Sequence, residues 1–134
     1  MFQNVDPKNL KLFAISGQRV RYEAGDAICR QGEPSEAIYV ILEGTVDLIR
    51  ETPHGKVRLD QVTEGNMVGA IGILCDHARK VTVEAAGPVT VLQVDRNAFY
   101  EIARDVPQLS LAIARELARR LEIMNDKFAA YSEA

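Results

Sequence analysis

Between residues 19 and 95 the chain repeats one pattern: short runs of β-branched and aromatic residues, each ended by glycine, proline or acidic residues. Such runs, separated by turn-forming residues, predict β-strands joined by tight turns. We predict strands over residues 19–22, 27–30, 37–42, 45–50, 57–62, 81–85 and 89–94. Many short strands with closely spaced turns are typical of a sandwich, a barrel or a jelly roll.

Helical patterns flank this β region on both sides. Asp6 is a suitable N-cap and Pro7 occupies the favoured first position of a helix that ends near Ser16. Asp95 is a plausible cap for a short helix over residues 96–104, and Pro107 opens a longer helix to about residue 128. We therefore expect one domain over residues 1–134, with a β-roll at about 18–95 and C-terminal helices at about 96–130.

The longer helix carries an apolar seam at near-heptad spacing, flanked by charged residues. The seam positions that we assign to a dimer interface are Ile113, Leu117, Leu121, Met124 and Phe128. A single amphipathic helix also packs commonly on its own β body, and that alternative stays open. We favour a homodimer because a long helix at a chain terminus can extend beyond the body and pair with a second copy.

Composition excludes several classes of protein. The 134 residues are 47% hydrophobic and carry a net charge of −3, which excludes a disordered chain and argues against direct nucleic-acid binding. The two cysteines, Cys29 and Cys75, are too few for a disulfide scaffold. The longest apolar run, residues 37–42, is far shorter than the ~20 residues of a membrane-spanning helix. No signal peptide precedes the β region, so we expect a cytoplasmic protein without a membrane partner.

Three stretches together resemble the cyclic nucleotide-binding domain family, which includes the sensor domain of catabolite-activator-type regulators. They are GDAICRQGE at residues 25–33, AIYVILEGTVDL at 37–48, and GNMVGAIGIL at 65–74 followed by ARKVTV at 78–83. The resemblance covers nearly the whole chain. It implies a double-stranded β-helix, or jelly roll, of eight strands, with an N-terminal helix and two C-terminal helices of which the last is long.

The third stretch resembles the family's phosphate-binding cassette. Its glycines permit tight backbone around a short helix whose first N–H groups are free to meet a phosphate, and an arginine opposite adds a charge-assisted contact. The resemblance implies cAMP, cGMP or another small anion as ligand, and no cofactor. The ligand-binding residues that it implies are Gly69, Ala70, Ile71, Gly72, Arg79 and Lys80.

The chain departs from the family pattern at the position of the ribose contact. The family normally has glutamate after the first cassette glycine, where the carboxylate accepts the ribose 2′-hydroxyl, but this chain has Ala70. A hydrogen bond to a charged group contributes about 1.5–3 kcal/mol, so its loss lowers affinity roughly ten- to a hundredfold. On the long helix, the base-contacting positions of the best-known members correspond to Met124 and Asn125, and we assign Asn125 to the base edge.

Other functions find less support. We expect neither catalysis nor a metal site, because nucleophile and nucleotide-loop motifs are absent and the two histidines, His54 and His77, fall in separate predicted loops. Cys75 and His77 would project to one side of an extended segment, which would suit a haem or redox site, but we favour the simpler interpretation of a loop cysteine and a solvated histidine.

Two functional hypotheses remain. The first is a regulatory sensor that binds a small anion and signals through its C-terminal helix, without the helix-turn-helix DNA-binding domain of its relatives in this chain. The second, motivated by Ala70, is a degenerate module that acts in dimerisation or protein interaction.

Overall fold

Nine strands and three helices have defined bounds in the part of the chain that the computed structural model describes, residues 2–4, 7–108, 110–115, 117–119 and 122. The strands are β1 (Phe2–Asn4), β2 (Gln18–Tyr22), β3 (Ala27–Cys29), β4 (Ala37–Glu43), β5 (Val46–Thr52), β6 (Gly55–Val62), β7 (Asn66–Val68), β8 (Thr82–Ala85) and β9 (Val89–Asp95). The helices are α1 (Pro7–Ser16), α2 (Ala70–Leu74) and α3 (Arg96–Asp105).

The strands form two antiparallel sheets arranged as a jelly roll. One sheet has the order β1-β7-β4-β9-β2 and the other β3-β8-β5-β6. Buried side chains of both sheets meet in one hydrophobic core, whose members are Ile28, Cys29, Ala37, Tyr39, Ile41, Val46, Leu48, Val62, Val68, Val83, Ala85, Val89 and Val91. The core of the domain therefore lies between the sheets.

All seven predicted strands are confirmed, with bounds that agree within two residues. The strands β1 and β7 were not predicted. Each is only three residues long, and they pair with each other. The resemblance implied eight strands; the eight from β2 to β9 are present, and β1 is an addition at the edge of the larger sheet.

The C-terminal end of helix α1 packs against strand β9. Its Phe13 is fully buried, and the Gly17 N–H donates a 2.7 Å hydrogen bond to the Phe13 carbonyl. A Cβ at Gly17 would lie 2.9 Å from Val94 Cγ2 and 3.0 Å from Leu92 Cγ, so the chain leaves the helix in close contact with the sheet. Asp6, the predicted cap, lies outside the described residues.

Helix α3 begins at the predicted cap. The Asp95 carboxylate accepts a 2.8 Å hydrogen bond from the Ala98 N–H, so the predicted N-cap is confirmed. Phe99 and Ile102 are the buried residues of this helix. The Tyr100 hydroxyl donates to the Ile73 carbonyl at 3.1 Å, which links α3 to α2.

The chain divides into two units, Met1–Ile102 and Ala103–Ala134. Described residues of the second unit are helical at 107–108, 110–115, 117–119 and 122, where the longer helix was predicted. Of the predicted seam, Ile113 is buried and Leu117 half-buried. The seam positions Leu121, Met124 and Phe128 lie outside the described residues. Within the described part of the chain no helix combines the length and the apolar character needed to cross a membrane.

Candidate functional site

Arg79 is a buried cation held by backbone carbonyl groups, and only 8% of its surface is exposed. Its Nη1 donates a 3.1 Å hydrogen bond to the Gly69 carbonyl, and its Nη2 donates to the Ala37 carbonyl. The guanidinium carbon also lies 5.7 Å from the centre of the Tyr39 ring, within range of a cation–π contact. Nε is buried and has no hydrogen-bond partner among the described residues. The guanidinium therefore has a defined position, and its buried Nε–H is without a hydrogen-bond partner among the described residues.

The backbone of Arg79 is fixed by the loop that follows β3. Its N–H donates to the Glu33 carbonyl at 2.8 Å, and its carbonyl accepts from the Gly32 N–H at 2.8 Å. These two hydrogen bonds connect the loop at residues 32–33 to Arg79, more than forty residues later in the chain. They fix the Arg79 backbone, and with it the position of its Cβ, in the absence of a ligand.

Gly69 provides the space that the guanidinium occupies. It has φ 101°, in the left-handed region that favours glycine. A Cβ there would lie 2.7 Å from Arg79 Nη1 and 3.0 Å from the Ala37 carbonyl oxygen. Any side chain at this position would therefore strain the backbone and displace the arginine.

Gly72 allows the backbone of helix α2 to lie close to the side chain of Ser35. A Cβ there would overlap the Ser35 hydroxyl and lie 3.0 Å from Ser35 Cβ. Ser35 is buried, and its hydroxyl donates a 2.7 Å hydrogen bond to the His77 carbonyl. The two cassette glycines thus have the role that the sequence predicted for them, tight backbone around the short helix α2.

A cavity of about 290 Å³ adjoins Arg79. Its lining residues are Cys29, Leu48, Val68, Gly69, Ile71, Gly72, His77, Arg79, Lys80, Val81 and Val83. Five predicted ligand-binding residues therefore meet at one cavity: Gly69, Ile71, Gly72, Arg79 and Lys80.

Two predicted ligand-binding residues are not placed at the cavity. Ala70 is buried, with 8% of its surface exposed, and its side chain is not part of the lining. Asn125 lies outside the described residues.

Sequence reasoning missed most of the apolar wall. Leu48 looks like an ordinary core residue in the sequence, and the pairing of β5 with β8, which sets it opposite Val83, brings it to the cavity. Val68 and Val83 lie within the cassette stretch, but their sequence does not mark them as cavity residues. His77, interpreted above as solvated, is half-buried and lines the cavity. Cys75 is exposed and is not part of the lining.

The segment between Cys75 and His77 is not extended as the haem interpretation required. The intervening Asp76 adopts a left-handed φ of 52°, so the two side chains do not follow the alternation of a strand.

The ionisable neighbours of Arg79 in the core are neutral at physiological pH. Burial raises the pKa of the Tyr39 hydroxyl to about 12, and the nearby Cys29 thiol contributes in the same direction. Burial also raises the pKa of the Cys29 thiol above 9.0, although the Arg79 charge partly opposes this shift. Neither group therefore supplies a negative charge to the guanidinium.

A second cleft of about 350 Å³ also borders Arg79, and it is acidic. Glu33, Glu36 and Asp95 are among its lining residues. None of these carboxylates forms an ion pair with Arg79 within the described parts of the chain. The arginine thus separates an apolar cavity from an acidic cleft.

The model of the cyclic nucleotide-binding domain family matches residues 19–105, which include both sheets from β2 to β9, the cassette and α3. This chain belongs to the cyclic nucleotide-binding domain family. The match places Arg79 and the two cassette glycines inside the domain that defines the family.

Individual relatives are similar over most of this chain. The CRP-like cAMP-activated global transcriptional regulator of Mycobacterium tuberculosis is 28% identical over 130 residues, which are 96% of this chain and 58% of that protein. The catabolite activator protein of Thermus thermophilus superposes with a TM-score of 0.83 at 26% identity, covering 95% of this chain and 60% of that one.

The sensor domain of the transcriptional regulator DNR from Pseudomonas aeruginosa superposes with a TM-score of 0.77 at 27% identity, covering 92% of this chain and 83% of that one. The chain thus spans less than two thirds of the mycobacterial regulator and most of a sensor domain.

Proposed function

We propose that this chain is a regulatory sensor module that binds a small anion at Arg79, with cAMP and cGMP as the first candidates. One observation carries the proposal. Arg79, only 8% of whose surface is exposed, has no acidic side chain as an ion-pair partner among the described residues, and its buried Nε has no hydrogen-bond partner there. Burying a charge is costly unless it is paired, so an anionic ligand in the cavity beside Arg79 would offset that cost.

The residues proposed to hold the phosphate are Gly69, Ala70, Ile71, Arg79 and Lys80. All except Ala70 adjoin the cavity. The name of the mycobacterial relative, a cAMP-activated regulator, supports a cyclic nucleotide as ligand. A contact of Asn125 with the base edge remains part of the proposal.

Isothermal titration of the chain with cAMP and with cGMP tests the proposal. We expect heat for at least one nucleotide, and a loss of affinity of ten- to a hundredfold in Arg79→Gln, which corresponds to about 1.5–3 kcal/mol for a charged hydrogen bond. Arg21→Gln is the matched control, because it removes the same charge from an exposed side chain of β2. Absence of heat for both nucleotides at millimolar concentration would refute the cyclic-nucleotide version.

We further propose that the β-roll and the C-terminal helices act as one homodimeric module. Ligand binding would shift the cassette and the hinge at Asp95, and thereby reorient the long helix. Leu117→Asp tests the dimer, since a charge in the seam opposes helix pairing. Ala118→Asp is the control, because Ala118 is the exposed neighbour on the same helix. We expect sedimentation to give a monomer for the first variant and a dimer for the second; equal masses would place the interface elsewhere.

Ala70 favours a second candidate function, a module whose pocket is vestigial and whose helix seam mediates constitutive dimerisation or docking. The family's glutamate is missing, and no carboxylate side chain lines the cavity among the described residues. Ala70→Glu discriminates the two functions. If this variant binds cAMP tightly and the native chain does not bind it at all, the native pocket is degenerate. Binding by the native chain would instead exclude the second candidate.

A further inference from the structure

The walls of the Arg79 cavity are continuous with the hydrophobic core. Cys29, Leu48, Val68 and Val83 line the cavity and are also members of the core between the sheets, each at most 8% exposed. Ile71 and Val81 complete the apolar surface from α2 and from the residue before β8. The body of a ligand in this cavity would therefore contact aliphatic side chains on most sides.

Polar side chains that could recognise a sugar are missing from these walls. Within the described residues, the lining contains no serine, threonine, asparagine, glutamine or carboxylate side chain. The polar residues that do line it are Arg79, Lys80, His77 and Cys29, whose thiol burial keeps protonated. A ligand hydroxyl buried without a partner lowers affinity by roughly five- to 150-fold.

The two spaces that border Arg79 differ in charge, and this difference favours one of them for an anion. The acidic cleft carries Glu33, Glu36 and Asp95, which repel an anion. The apolar cavity carries no carboxylate on the described residues that line it, and the exposed residue Lys80 lies at its edge. An anionic group therefore meets Arg79 from the apolar side, where the rest of the ligand must lie against Leu48, Val81 and Val83.

We infer that the Arg79 cavity takes an anionic amphiphile, a carboxylate or phosphate monoester on a compact apolar body, in preference to a ligand with sugar hydroxyls. The inference rests on the proposed function, because Arg79 holds the anion in both. The apolar body gains affinity from burial against the core, and the anion gains it from the Arg79 charge, which has no acidic partner among the described residues.

Isothermal titration of the full chain with butanoate, hexanoate, octanoate, octyl phosphate, octanol, cAMP and cGMP tests this inference. We expect affinity to rise roughly fifteenfold for each added pair of methylenes, because each buried methylene contributes about a fourfold gain. We expect octanol to bind at least about tenfold more weakly than octanoate, since it lacks the charge that Arg79 contacts. The ratio of octyl phosphate to octanoate affinity identifies the preferred anionic group.

Val81→Thr probes the wall directly. It replaces one methyl group by a hydroxyl at a half-buried cavity residue, and we expect octanoate affinity to fall at least about fivefold. Val57→Thr is the control, because Val57 is 49% exposed on β6 and does not line the cavity.

The outcomes separate the two proposals. If cAMP or cGMP binds more tightly than every amphiphile, the inference is wrong and the proposed sensor function stands. If octanol binds as tightly as octanoate, Arg79 does not select the anion of an amphiphile and the inference fails, whereas the titrations with cAMP and cGMP still decide the proposed sensor function. Heat for none of the compounds overturns both proposals. Equal octanoate affinity in Val81→Thr and Val57→Thr overturns the role assigned to the apolar wall.

Discussion

Gly72 leaves no room for a methyl group, and replacing it by alanine is predicted to destabilise the domain. The new Cβ would overlap the Ser35 hydroxyl and lie 3.0 Å from Ser35 Cβ. Rotating the hydroxyl away relieves only the first overlap, and it breaks the 2.7 Å hydrogen bond from Ser35 to the His77 carbonyl. The substitution therefore combines overpacking with the loss of a buried hydrogen bond.

The size of this effect follows from three contributions. Overpacking costs about 2 kcal/mol and the lost hydrogen bond about 1 kcal/mol. Alanine regains about 1 kcal/mol over glycine inside a helix. The free energy of unfolding of Gly72→Ala should thus fall by about 2 kcal/mol, which shifts a urea midpoint by about 1 M for a domain of this size.

Gly87→Ala is the matched control, since a Cβ at Gly87 would meet nothing within 4 Å. We expect its urea midpoint to stay unchanged or to rise slightly, because alanine restricts the unfolded chain. Adding Ser35→Gly to Gly72→Ala should restore part of the loss, with a coupling of at least about 1 kcal/mol in a double-mutant cycle. Equal midpoints for Gly72→Ala and Gly87→Ala would refute the reasoning.

Three further predictions concern the surroundings of Arg79. Gly69→Ala should weaken anion binding in a titration by at least about tenfold, because the new Cβ lies 2.7 Å from Arg79 Nη1 and displaces the guanidinium; unchanged affinity contradicts it. Because the pKa of Tyr39 rises from 10.0 to about 12 on folding, the unfolded chain loses its proton first as the pH rises. The free energy of unfolding should therefore fall between pH 10 and 12 and fall less in Tyr39→Phe, as measured by urea unfolding across that range. A thiol reagent at pH 8 should modify exposed Cys75 rapidly and buried Cys29 only after unfolding; two fast thiols would be inconsistent with the burial and raised pKa of Cys29.

The local elements could be predicted from sequence because their signals are local. The N-cap residue Asp95 lies only three residues before Ala98, whose N–H donates to its carboxylate, and this hydrogen bond is present. The runs of β-branched residues predicted seven strands within two residues of their bounds. By contrast, β1 and β7 are three residues each, too short to show a period, and they are strands because β7 pairs with β4 and β1 pairs with β7.

The candidate site was predicted only in part. The cassette pattern led to Arg79 and its two glycines, since their spacing belongs to one continuous stretch. Cys29 and Leu48 come from other strands, and no pattern in their own segments marks them as cavity residues. The prediction for His77 was wrong. We expected this loop histidine to be solvated, but it is half-buried and lines the cavity.

The sequence alone determined a mainly β chain with flanking helices, and it singled out Arg79 within a glycine-rich cassette. Only the tertiary structure decided what surrounds that arginine. Its partners include the Ala37 carbonyl, 42 residues away, and its cavity is walled by core residues of both sheets. The physical reason is that strand patterns specify which face is buried, whereas the pairing of distant strands specifies what each buried face contacts. Whether a buried cation has an anionic partner or keeps an unused donor is a property of those distant contacts.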